Sequence, residues 1–322
     1  MKAVLADRRG SVLVEFALVA LVLTLLLSAT VDLGRLVFAA EVVQDAARAG
    51  ARELSVTPLP AAITFNDARD CRNPPYDAPP SSCLDGSGAT PIFRDRVFDP
   101  DRLVLDITAD VANHTFDLDA TCAALPIVNR VLCPLMIVDR TSVPGTTFLR
   151  YPGTLLRNTT SGRYTVMIAA ITERDTNGAE TGVTWLPVVE GVGASDDPTV
   201  DAFSLAGAAA GQPGAKGVAA IRVNYPFQAA MLSGFRPSAD GPFAPNIANV
   251  NVADDSAIAA PPDPNVEFAA GDTSDAGPYA GRLGLGQQFA FAGKVVRPFR
   301  RVVSAQAVFR REVFQETREV TP

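Results

Sequence analysis

The reading of this chain turns on RRGSVLVEF, Arg8 to Phe16, where two arginines and a glycine run straight into an apolar segment that carries one carboxylate, Glu15. Working outward from Glu15, Ser11 to Val31 contains no other ionisable residue. As a helix rising about 1.5 Å per residue, that segment is roughly 30 Å long, the thickness of a bilayer's hydrocarbon core. A transmembrane helix is therefore expected over 11–31. Lys2, Arg8 and Arg9 precede it with only Asp7 against them, so the positive-inside rule places the amino terminus in the cytoplasm and the bulk of the chain outside. Two plainer readings explain less. A secretory signal peptide has an apolar region of about 7–15 residues followed by a small-residue cleavage site, and this run is longer. A simple single-span anchor accounts for length and flanks but not for Glu15. A carboxylate within the bilayer costs about 2.5–3.5 kcal/mol on insertion scales and is normally paired or functional.

The helix is expected to continue past the membrane, over 32–55. No proline precedes Pro58, and Leu33, Leu36, Val37, Ala40, Val43, Ala47, Gly50 and Leu54 recur mostly three or four apart, the spacing of one helix face. Asp32, Arg35, Glu41, Asp45 and Arg48 make this half compatible with water. Ala46, Ala47 and Gly50 are small enough to admit another backbone at close range. Two readings stay open for that patch: a helix-assembly surface shared with another subunit, or the seat of the chain's own exterior domain.

Three ordered blocks, RRGSVLVEFALV at 8–19, DLGR at 32–35 and VVQDAARAGAR at 42–52, resemble the TadE/TadG-like pilus-assembly proteins, the pseudopilins of the tight-adherence (Flp, type IVc) systems. The resemblance covers about residues 8–55. Ala20 and Leu21 stand where that family often has a proline, and Ala29 where it often has a glycine; without the proline the helix keeps its full set of backbone hydrogen bonds. The resemblance implies a prepilin peptidase site, with cleavage after Gly10, Ser11 as the new amino terminus, Glu15 five residues on from Gly10 and Phe16 next. Residues 1–10 would then be a cleaved cytoplasmic leader. It also implies that Glu15 meets the terminal amine of a neighbouring subunit and sets register, since a buried ion pair adds little stability but penalises misalignment. The implied partners are the prepilin peptidase, other pilins or pseudopilins and Tad inner-membrane assembly proteins. The implied place is a single pass through the bacterial inner membrane, with the exterior domain periplasmic or extracellular. The implied role is structural and not enzymatic, in pilus assembly, secretion or adhesion. The alternative is a bitopic envelope binding protein or enzyme whose exterior domain is unrelated to pili.

That exterior domain, 56–322, reads as β-rich, so that the whole chain is α+β. Strand-like runs cover Leu103 to Ala109, Tyr164 to Thr172, Val183 to Glu190 and Gly217 to Phe227. Alternation is clearest in Ile221, Val223 and Tyr225 against Arg222 and Asn224. Phe299 to Phe314 fits strand or helix, with strand favoured for its first half because Val303, Ala305, Ala307 and Phe309 alternate with Ser304 and Gln306. Pro- and Asp-rich stretches at 56–100 and 236–285 read as loops, the second a long mobile insertion or an interdomain linker.

A net charge of −7 over 322 residues and a pI near 4.9 argue against nucleic acid as a partner, which requires a basic face. The charge is uneven: 237–279 holds acids and no Lys or Arg, whereas 282–318 is mostly basic. The cysteines Cys71, Cys83, Cys122 and Cys133 are disulfide candidates that allow three connectivities; pairing Cys71 with Cys83 and Cys122 with Cys133 closes the shortest loops. Such bonds require an oxidising compartment. His114 is the sole histidine, which leaves a zinc site or a His-assisted nucleophile without a second member. Asp85 in DGSGA nears a metal-binding D-x-S-x-S pattern but lacks its last serine, and Asp196-Asp197 and Asp254-Asp255 lack the spacing of a calcium loop. The glycines of GRLGLGQ, Gly281, Gly284 and Gly286, read as a turn and not a phosphate cradle. No metal, cofactor or catalytic residue is expected.

Overall fold

The computed structural model describes residues 5–70, 91–140, 142–171, 183–205, 216–229, 261–269, 279, 283–284, 289–291, 294–296 and 300–312. Cys71, Cys83, Asp85 and the Asp254-Asp255 pair lie outside them. The described residues begin with one helix, α1, Leu5–Val56. Its end is closed locally: the Ser55 and Thr57 hydroxyls donate to the carbonyls of Arg52 and Glu53 at 2.7 Å, and Pro58, which cannot donate to a helix, follows.

Among the described residues five short helices come next, α2 (Phe65–Asp70), α3 (Ile92–Arg96), α4 (Thr108–Ala112), α5 (Leu118–Ala123) and α6 (Ile127–Leu132). The strands are β1 (Val104–Asp106), β2 (Ile137–Asp139), β3 (Phe148–Arg150), β4 (Thr154–Asn158), β5 (Tyr164–Ile171), β6 (Val183–Pro187), β7 (Val189–Gly191) and β8 (Val218–Gln228). They continue with β9 (Val266–Phe268), β10 (Phe289–Phe291), β11 (Lys294–Val296) and β12 (Arg300–Arg310). All described pairings are antiparallel. They form sheets ordered β12-β8-β7, β6-β5-β4-β9 and β1-β3-β2, and a β10-β11 hairpin. The architecture is α+β, a long helix followed by a β-rich domain.

The outer half of α1 lies across the β12-β8-β7 sheet. Ala39, Val43, Ala46, Ala47, Ala51 and Leu54 share one core with Ile221, Val223, Tyr225 and Phe227 of β8. Because successive strand residues point to opposite faces, these odd-numbered residues of β8 face the helix. Arg222 and Asn224 turn the other way, to Glu190 (3.1 Å) and to the Ser304 hydroxyl (2.6 Å). β12 is paired along all 11 residues, Arg300 opposite Gln228 through Arg310 opposite Val218, so the strand reading of that tail holds.

Several expectations change. Ala46, Ala47 and Gly50 are buried by the chain's own domain: a Cβ on Gly50 would lie 2.5 Å from Val128 Cγ2 of α6 and 3.3 Å from Ile221 Cδ1. Of the two readings of that patch the structure shows the second, and its small residues are not a surface for another subunit's helix. The segment 236–285 is not wholly a mobile insertion, since β9 pairs with β4, and Tyr279 and Leu283 are buried. Nor is 56–100 only loop, because α2 and α3 sit in it and place Phe65 and Phe93 in the core, edge to face at 5.6 Å. The run from Leu103 to Ala109 is a strand only to Asp106, then becomes α4.

Two buried ionic groups hold the domain's connections. Asp201 accepts from the backbone N–H groups of Phe65, Ser195, Phe203 and Ser204, at 2.8–3.3 Å. Arg311, just past β12, donates to the carbonyls of Leu59, Pro60, Ala61 and Phe203, and stacks 4.2 Å above the Phe203 ring. Burial lowers its pKa to about 10, and it ties the end of the last strand to the exit of α1.

Candidate functional site

The residues that carry the sequence-level hypothesis sit in the first turns of α1. Gly10 and Ser11 have helical backbone there, and Glu15 is exposed between Val14 and Phe16, themselves 66% and 73% exposed. From Val12 to Leu27 the large apolar side chains stand out from the fold with almost nothing packed on them. The helix is long and apolar enough to cross a membrane. Its threonine hydroxyls are satisfied within it, Thr24 and Thr30 donating to the carbonyls of Ala20 and Leu26 at 2.8 Å. A bilayer, which offers no hydrogen-bond partners, requires that.

At Ser28 the surroundings change. Ser28 and Asp32 are buried, Asp32 lies 3.6 Å from the guanidinium of Arg35, and Arg35 sits 5.9 Å over the ring of Phe227, near the end of β8. Beside them is a tyrosine cluster. Tyr151 packs edge to face on Tyr225 at 5.7 Å and donates to the Asn224 carbonyl, while Tyr279, held at φ 63°, donates to the Pro226 carbonyl. Burial raises the pKa of all three phenols, so they stay neutral, and Tyr151 and Tyr279 act as donors. The carbonyls of Leu283 and Gly284 accept from Thr154, Gln228 and Arg300. Gly284, at φ 63°, is a required glycine, because a Cβ there would lie 2.6 Å from the Gly153 oxygen; the turn reading is right at this position.

Elsewhere, Cys122 and Cys133 are disulfide-bonded and join α5 to the turn after α6. His114, at φ 57°, terminates α4, its N–H donating to the Val111 carbonyl. A cleft of about 370 Å³ is lined by Asp99, Asp101, Asp106, Arg102, Arg163 and Tyr164, among others. Burial raises Asp99 above the usual carboxylate range, but its charge and that of Asp101 are met by Arg94, Arg102 and Arg163 at 2.9–3.8 Å. Such a network clasps helix, turn and loop together through paired charges. Among the described residues no group of three or more His, Cys, Asp or Glu could hold a metal; Asp196 accepts from the distant Asn66 amide and Asp197 from the nearby Thr199 N–H.

Sequence reasoning found the anchor and missed Asp201, Arg311 and the tyrosines at the foot of the domain. Their partners are backbone atoms, in several cases more than a hundred residues away, and no spacing in the sequence marks such a bond.

An apolar helix standing free at one end and seated in an α+β domain at the other fits a protein held to a membrane by a single pass. The comparison with protein families identifies the segment: the family described as TadE-like protein matches residues 10–52, nearly all of α1. The chain thus carries a TadE-like anchor, as the three sequence blocks suggested, and is consistent with a TadE/TadG-like pilus-assembly protein. Beyond the helix the match does not extend, and no curated protein and no solved structure matches the chain.

Proposed function

We propose that the chain is a pseudopilin-like, non-enzymatic component of a bacterial tight-adherence pilus or secretion apparatus. The observation that carries the reading is the TadE-like match over residues 10–52, with Glu15 exposed on the bare half of the helix. In this reading the prepilin peptidase cuts after Gly10. Glycine lowers helix stability by about 1 kcal/mol relative to alanine, which favours local opening at that bond. The span lies in the inner membrane with the disulfide-bonded domain on the oxidising side. The neighbours of the bare helix are other pilins or pseudopilins and Tad inner-membrane assembly proteins.

Glu15 supplies alignment and not chemistry. In an apolar environment its carboxylate is costly unless it meets a cation, and the new amine on Ser11 of an adjacent subunit provides one. Glu15→Ala tests this in cells that carry the apparatus. The variant is expected to reach the membrane at the normal level, be processed to begin at Ser11 by intact-mass measurement, and fail to co-purify with assembled pilus components. Normal incorporation of Glu15→Ala would remove the pairing role, and a mature chain that still begins before Ser11 would remove the processing site.

A further inference from the structure

The geometry points to a lipid-headgroup site at the foot of the exterior domain, formed by Arg35 and Arg301. We infer that these two guanidinium groups hold the phosphate of an anionic phospholipid in the leaflet on the domain's side. The position along α1 comes first. If the hydrocarbon core spans Ser11 to Val31, about 30 Å of helix, Arg35 lies roughly 6 Å beyond its edge. That is within the headgroup layer, which adds roughly 5–7 Å on each side of the core. The domain reaches this level, because its cover on α1 begins at Ser28 and includes Asp32.

The second element arrives through sheet register. Arg301 stands directly opposite Phe227 in the β12-β8 ladder, and Phe227 lies beneath the guanidinium of Arg35 at 5.9 Å. Arg301 and Phe227 project to the same face as direct cross-strand neighbours, about 5 Å apart at Cβ. Register and ring contact therefore bring both arginines next to one residue, Phe227, at the same end of the β12-β8 pair. The Arg35 side chain is 48% exposed and Arg301 is exposed. Asp32 engages Arg35 on one side, but a guanidinium has five N–H donors in a planar fork and can serve a carboxylate and a phosphate together. The chain's net charge is −7, so two cations gathered at the level of lipid phosphates are a local arrangement and not a reflection of overall basicity.

The occupant we assign is a membrane lipid and not a soluble anion, because the helix itself delivers the pair to the headgroup layer. This rests on α1 crossing a bilayer and is independent of pilus assembly; a failed Glu15 test would leave it standing. The full chain, reconstituted in bilayers, is probed by electron spin resonance with spin-labelled phosphatidylglycerol and phosphatidylcholine. The wild type is expected to prefer phosphatidylglycerol at its boundary. Arg35→Gln with Arg301→Gln should abolish that preference, with up to about a fivefold loss per arginine. Arg35→Lys with Arg301→Lys, which keeps the charge, should retain most of it. Arg48→Gln with Arg310→Gln, the same charge change on the distal half of the helix and the far end of β12, should retain all of it. No preference in the wild type, retention in the first pair, loss in the lysine pair, or equal loss in the distal pair would overturn the site. Abolition by millimolar inorganic phosphate at constant ionic strength would show a free-phosphate site and overturn the assignment to lipid.

Discussion

The two halves of α1 are one continuous helix and meet different surroundings. Residues 12–27 expose leucine, valine and phenylalanine on every side, whereas from Ser28 to Leu54 one stripe is buried against β8, β12 and α6 while Glu41, Asp45 and Arg48 face out. The first half is apolar all round, as a helix suited to an apolar solvent is; the second is amphipathic, as a helix between a core and water is. Between them, on the side away from the domain, Leu33, Val37 and Phe38 remain at least half exposed, so the apolar surface outlasts the expected span by about two turns of helix. Stability of the fold therefore resides in the second half and the domain seated on it, and the first half is free to serve attachment.

The carboxylates make the contrast testable. Asp139 is buried, accepts from Arg150 Nε and the Ser142 hydroxyl at 2.5 Å, and faces an Arg150 that is itself 1% exposed. Arg150 also donates to the carbonyls of Tyr151 and Gly153. Removing one partner of such a pair leaves an uncompensated buried charge, which costs about 3–5 kcal/mol. Asp139→Ala is expected to lower the unfolding free energy of the full chain in detergent by about that amount, read from denaturant titration. Glu15→Ala in the same assay should shift it by less than about 0.5 kcal/mol, as surface substitutions do. Equal effects would break the division between an attachment half and a stability half.

Glycine separates the halves at smaller scale. Gly50 sits where a Cβ would come within 2.5 Å of Val128. Gly50→Val should destabilise by about 1–3 kcal/mol through overpacking. Adding Val128→Ala should recover part of the loss, because the two positions share one contact and their effects are not additive. Full additivity would show that the crowding lies elsewhere.

What the sequence disclosed follows from the range of the forces involved. The α1 helix and strands β5, β8 and β12 were legible because hydrophobic period is a local signal sustained over many residues: Ile221, Val223 and Tyr225 do face the helix, and Val303, Ala305 and Ala307 continue that face on the next strand. Helices α4, α5 and α6 were not, being five or six residues each, too short to complete two turns of pattern. The choice for Ala46, Ala47 and Gly50 could not be made because small residues permit close approach without naming the neighbour; Val128 and Ile221 name it. For the anchor, residue identity at Gly10, Glu15 and Phe16 was enough to raise the hypothesis, since its specificity lies in spacing along one helix. Arg311 looked like one more basic residue in a basic tail, and only tertiary contact gives it four carbonyls.

The smallest effect tests where the bare surface ends. Gly34 lies in the DLGR block, two residues past Asp32, and a Cβ there would meet nothing within 4 Å. A mid-helix glycine facing open space gives up about 1 kcal/mol relative to alanine through the conformational freedom lost on folding. Gly34→Ala should therefore stabilise the isolated chain, raising its thermal midpoint by about 2–4 °C for a domain of this size. The sign carries the argument. Gly50 and Gly34 are less than five turns apart on one helix, and a substitution that crowds the first should relieve the second. A fall in midpoint for Gly34→Ala would mean that the outward face is already occupied at that level.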